Sequence, residues 1–88
     1  MCYPPLMEVY VTRHARNRMR LYEIPHDMVE RALEQPDDVT TGMLGASHAW
    51  KRVAPRTWLR VTFTTEGARR IVITVTPKSQ PPGGPHAH

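Results

Sequence analysis

His14 and Arg18 stand four residues apart in "VTRHARNRMRLY" (11–22). They pair the side chain that titrates nearest neutral pH with one that grips phosphate by two parallel hydrogen bonds. Further on come His48, Lys51 and Arg52 in "SHAWKRV", Trp58 and Arg60 in "TWLRVTFT", and Thr74 in "RIVITVT". Imidazole, guanidinium, hydroxyl and indole are the groups that metal-independent RNA cleavage requires. One group takes the proton of a 2′-hydroxyl, another protonates the leaving 5′-oxygen, and cations and hydroxyl donors meet the phosphorane charge. His14 or His48 suits the proton transfers, because imidazole titrates at about 6.5. Arg18, Arg60, Lys51 or Arg52 suits the phosphate, and Thr74 can donate a hydrogen bond. Trp58, or Trp50 where it faces outward, offers a ring on which a base stacks, worth about 1–3 kcal/mol in single-strand binding.

Plainer uses exist for each of these residues. His14 can bond a nearby carbonyl, and Arg18 can bury its stem and pair with Glu8 or Glu34. Threonines are good strand formers, and Trp58 on an open face fits a dimer contact as well as a base. Arg13, Arg16 and Arg20 form a solvated helix face whose pull on nucleic acid is non-specific. Other chemistries lack their residues: there is no glycine-rich phosphate loop, no Cys/His zinc spacing and no serine elbow. His86 and His88 can hold copper or nickel only loosely. The expectation is therefore no metal and no cofactor.

The elements that must position these groups follow from hydrophobic period and punctuation. Residues 7–11 alternate as a short strand, and Thr12 can cap a helix over 13–22 whose core side carries Ala15, Met19 and Tyr22. Pro25 opens a second helix with a Met28, Val29, Ala32 and Leu33 stripe, and Pro36 ends it. A turn, a weak extended piece and a loop around Gly42 and Gly45 lead to strands at 47–53, 57–64 and 70–76. The order β-α-α-β-β-β predicts an α+β domain, with two N-terminal helices packed on one face of a small antiparallel sheet. Alternation assigns Leu59, Val61, Phe63, Ile71, Ile73 and Val75 to the helix face. It assigns Trp58, Arg60, Thr62, Val72, Thr74 and Thr76 to the open face. Either His48, Trp50 and Arg52 or Ala49, Lys51 and Val53 join that open face.

The chain has 88 residues, 40% of them hydrophobic, and a formal charge of +4. This fits one small domain, set at 1–76, with a polyanion as the natural partner. Residues 77–88 are expected to be a disordered Pro/Gly-rich tail. The single cysteine, Cys2, excludes an internal disulfide framework. No apolar run approaches the roughly 20 residues that span a bilayer. A cytoplasmic location without membrane contact is the corresponding expectation.

Together, "RHARNRM" (13–19), Ile24, "MVERALEQP" (28–36), "LRVTF" (59–63) and "IVITVTP" (71–77) resemble the domain of unknown function 4258 family. That family's pattern begins His-Ala-x-x-Arg-Met and ends in a strand with Thr near Pro. The family is similar to the RelE and BrnT toxins of bacterial toxin–antitoxin modules. The resemblance implies a RelE-like fold, endoribonuclease activity, RNA as substrate and a cognate antitoxin as partner, with His14, Arg18, Arg60 and Thr74 at the site. The chain departs from the pattern at Tyr22-Glu23, where members carry Arg-Gly, so the glycine that turns the chain between the helices is missing. Two rivals accompany this: a non-catalytic RNA- or protein-binding domain of the same fold, and a small interaction domain that forms a homodimer through Trp58 and the open sheet.

Overall fold

The computed structural model describes residues 8–80. Strand β1 (Glu8–Val11) leads into helix α1 (Arg13–Leu21) and helix α2 (His26–Glu34). Strands β2 (Asp38–Thr41), β3 (Ser47–Ala54), β4 (Thr57–Glu66) and β5 (Arg69–Lys78) follow. The five strands form one sheet in the order β1-β5-β4-β3-β2. The α+β layout is as expected: α1 packs on β5, and α2 packs on β3 and β4. Two details differ from the sequence expectation. The weak extended piece at 38–41 pairs with β3 as a fifth strand, and β1 runs parallel to β5, so the sheet is mixed.

Thr12 caps α1, its hydroxyl oxygen accepting from Ala15 N at 3.2 Å. The same hydroxyl donates to Val72 O at 3.0 Å, which ties the helix start to β5. Ala15 and Met19 enter the core, but Tyr22 does not: it stands at the helix end, 39% exposed. The chain then turns without a glycine. Glu23 takes φ 56°, its N–H reaching Arg20 O at 3.3 Å while Ile24 N reaches Met19 O at 2.8 Å. This is the double closure of a Schellman turn, with glutamate in the left-handed place that glycine usually fills.

The core joins Val11, Ala15, Met19, Val29, Ala32 and Leu33 to Ala49, Leu59, Val61, Phe63, Val72 and Val75. The β4 residues are as predicted, but on β5 the prediction fails for Ile71 and Ile73. Thr62 pairs with Thr74, yet Phe63 pairs with Val72, so β5 carries one extra residue at Ile73. A bulge of this kind resets the two-residue alternation. Val72 therefore turns into the core while Ile73 is left 38% exposed. β5 also runs past residue 76, through Pro77 and Lys78, which pair with Leu59 and Trp58. The remainder of the expected tail, 81–88, lies outside the described residues, as does Cys2.

Candidate nucleic-acid interface

Strands β3 and β4 are joined by a turn of just Pro55 and Arg56, and a one-residue irregularity at Val53 sets the register beyond it. His48 pairs with Thr62, Trp50 with Arg60, and Arg52 with Trp58. Across β4, those partners pair in turn with Thr74, Thr76 and Lys78. Because Ala49 is in the core, His48, Trp50 and Arg52 belong to the face away from the helices. This settles the orientation that alternation alone left open. Three cross-strand rows result: His48–Thr62–Thr74, Trp50–Arg60–Thr76 and Arg52–Trp58–Lys78.

His48 is the titratable centre of this face. Its Nδ1 lies 2.8 Å from Thr62 Oγ1. Its other ring nitrogen is turned toward Gly42, at the start of a loop closed by Gly42 N donating to Ala46 O at 2.8 Å. A Cβ built on Gly42 would stand 2.8 Å from Nε2 and 3.2 Å from Cε1. Burial first, then the Arg60 guanidinium and the Lys78 ammonium, hold the imidazole below its ordinary 6.5. It is therefore neutral at pH 7 and able to accept a proton.

Arg60 lies with its guanidinium carbon 5.8 Å from the centroid of the Trp50 ring. Trp50 is fixed by donating Nε1–H to Thr40 Oγ1 at 2.9 Å. The buried Arg60 Nε has no hydrogen-bond partner, and the ion pairs among the described residues are His26–Glu30 and Arg69–Glu8. Among the described residues, the arginine charge thus leans on a π face with no ion-paired carboxylate.

The structure separates the eight candidate residues. Arg60, Thr74, His48, Arg52 and Trp58 share the open face. Lys51 does not: β3 alternation sends it to the helix side, where Nζ donates to Gln35 O at 3.0 Å, at the end of α2. Arg52 curls onto the β3–β4 turn, donating to Ala54 O at 3.4 Å and Pro55 O at 2.9 Å. His14 and Arg18 belong to α1, whose buried Ala15 and Met19 pack on the opposite, helix-covered side of the sheet. His14 is exposed there, and Arg18 donates to the Tyr22 hydroxyl at 3.1 Å and lies over its ring.

Sequence reasoning passed over Thr62, Lys78 and Gly42. Thr62 looked like an ordinary strand threonine, and Lys78 looked like the start of the tail. Thr62 lies opposite His48 because the β3–β4 ladder slips by one residue at Val53, and Lys78 reaches the face because β5 stays paired with β4 as far as Trp58; no local pattern in the sequence marks either. Among the described residues, no group of three His, Cys, Asp or Glu side chains is placed to hold a metal ion, and no helix is long and apolar enough to cross a membrane. Comparison with known proteins finds no matching family model, no matching curated protein and no matching solved structure.

Proposed function

We propose that the domain is a metal-independent endoribonuclease of the toxin kind that the sequence resemblance implies, acting on RNA through the open sheet face. The observation that carries this is a neutral His48 held by Thr62 one strand from the uncompensated Arg60. The acid–base role accordingly passes from His14 to His48. With Nδ1–H donating to Thr62, Nε2 is the free base that takes the proton of a 2′-hydroxyl. The 2′-oxygen attacks phosphorus, the bond to the 5′-oxygen breaks, and that oxygen takes a proton from solvent. The products are a 2′,3′-cyclic phosphate and a 5′-hydroxyl. Arg60 binds the non-bridging oxygens, Thr74 offers a hydroxyl beside Thr62, and Trp58 stacks a base two rows from His48. Gly42 matters because it has no side chain: a methyl there would occupy hydrogen-bond distance from Nε2. An antitoxin would neutralise the protein by covering this face, and an RNA substrate places the action in the cytoplasm.

The test is purified wild-type chain on single-stranded RNA in the presence of chelator, beside His48→Ala, Arg60→Ala and His14→Ala. Cleavage lost in the first two and retained in the third supports the proposal. RNA left intact by folded wild type refutes cleavage. One observation favours a second reading, in which the face binds RNA without cutting it. His48 is the one imidazole on this face among the described residues, so no second imidazole stands there to protonate the leaving oxygen. Binding that weakens steeply with salt, without cleavage, supports this alternative.

A further inference from the structure

A groove of about 290 Å³ lies between α2 and the end of β3. It exists because β2 covers β3 only from Ser47 to Trp50. Beyond that point the Arg52 N–H donates to the Asp37 carboxylate at 2.8 Å instead of to a neighbouring strand. Pro25, Met28 and Val53 give the groove an apolar lining, while Arg31, Lys51 and Arg52 face the single acid Asp27. None of the three cations takes part in an ion pair among the described residues. The side-chain bonds of Lys51 and Arg52 go to neutral carbonyl oxygens, and neither side chain is ion-paired among the described residues.

We infer that this groove docks an acidic–apolar peptide segment of a protein partner. Its aliphatic side chain fills the space over Met28 and Val53, and its carboxylates meet Arg31, Lys51 and Arg52. Charge complementarity alone would also admit RNA. The lining, however, holds no aromatic ring for a base to stack on, whereas an aliphatic side chain finds an apolar wall. The groove shares only the edge residue Arg52 with the His48 face; α2 and the helix-side Lys51 and Val53 lie off it.

The experiment pans a random dodecapeptide display library on the full chain and measures the selected peptides by fluorescence anisotropy. The expected consensus alternates Asp or Glu with Leu, Ile or Val. Arg31→Glu on the exposed face of α2 should weaken binding by about ten-fold. Met28→Ser should weaken it without changing charge, Arg16→Glu on α1 should leave it unchanged, and oligouridine should not displace the peptide. Peptides without acids, equal losses in Arg31→Glu and Arg16→Glu, or displacement by oligouridine would each overturn the assignment. Circular dichroism of each variant confirms that it is folded.

Discussion

His48 Nδ1 and Thr62 Oγ1 face each other at 2.8 Å across the β3–β4 ladder, a contact in which either group can donate. A base at Nε2 requires the hydrogen on Nδ1, with the threonine oxygen accepting it. Thr62→Val keeps the shape and removes the acceptor, which leaves Nδ1–H unsatisfied. Losing such a bond costs about 1 kcal/mol, so cleavage should fall about five- to ten-fold while the fold persists. Thr62→Ser should restore most of the rate. The rate of the wild type should rise with pH and level off below the ordinary imidazole value, because burial, Arg60 and Lys78 lower the His48 pKa. A plateau reached only above pH 7 would assign the proton transfer to another group.

Gly42 and His48 make the site sensitive to a single methyl group. Gly42→Ala puts a carbon 2.8 Å from Nε2, closer than real side chains approach, so the ring must swing away. Gly42 is not among the positions with positive φ, so alanine brings no backbone strain. Stability should change by only about 1 kcal/mol, the cost of an off-rotamer ring. Activity should fall by about a hundred-fold, as displacements near 1 Å do at reacting groups. Parallel chemical melts and cleavage assays separate the two effects. Cleavage at the wild-type rate would show that Nε2 is not the reacting atom.

The lowered pKa of His48 has a consequence for stability as well as for chemistry. In the unfolded chain the ring titrates at about 6.5; in the fold it titrates lower. Above 6.5 both states are neutral, and the contribution of His48 is at its full value. As pH falls from 6.5 through the lower folded value, the unfolded state binds the proton first, and the fold loses stability. Urea midpoints of wild type and His48→Gln at pH 7.5 and pH 5 isolate this effect, since the other groups cancel in the difference. The wild type should lose more than the variant on acidification. An equal loss would show that His48 is not the group destabilised by its charge.

How much of this was legible depends on how local each determinant is. The Thr12 cap, the Met28–Leu33 stripe and the Leu59, Val61, Phe63 face are written in spacings of a few residues, and all appear in the fold. Arg60 and Thr74 were placed on the open face because β4 is regular and Thr74 lies beyond the irregularity in β5. Ile73 was misplaced because nothing in "RIVITVT" marks a bulge. The Thr12 hydroxyl, which caps α1, donates to Val72 O beside the extra residue, sixty positions away. Alternation makes His48 and Lys51 exclusive candidates for the open face, and only the core position of Ala49 decides for His48. The site thus shifted from α1 to β3 because register, a long-range property, decides which basic residues meet.

The turn at Glu23 offers the most direct test of fold energetics, because geometry and residue type disagree there. Its φ of 56° lies in the left-handed region, and the bonds from Glu23 N and Ile24 N hold it there. A side chain in that region costs about 1–2 kcal/mol, whereas glycine gives back roughly 0.5–1 kcal/mol through its greater freedom when unfolded. Glu23→Gly should therefore stabilise the domain by about 0.5–1 kcal/mol. For a domain of this size that raises Tm by roughly 2–8 °C. Glu23→Ala retains the Cβ and with it the strain, so it should leave Tm near that of the wild type. A thermal melt followed by circular dichroism reads both variants. A rise with alanine as large as with glycine would trace the gain to removal of the carboxylate beside the carbonyl end of α1, instead of to the backbone. A fall with glycine would mean that the glutamate side chain contributes more to this corner than its conformation costs.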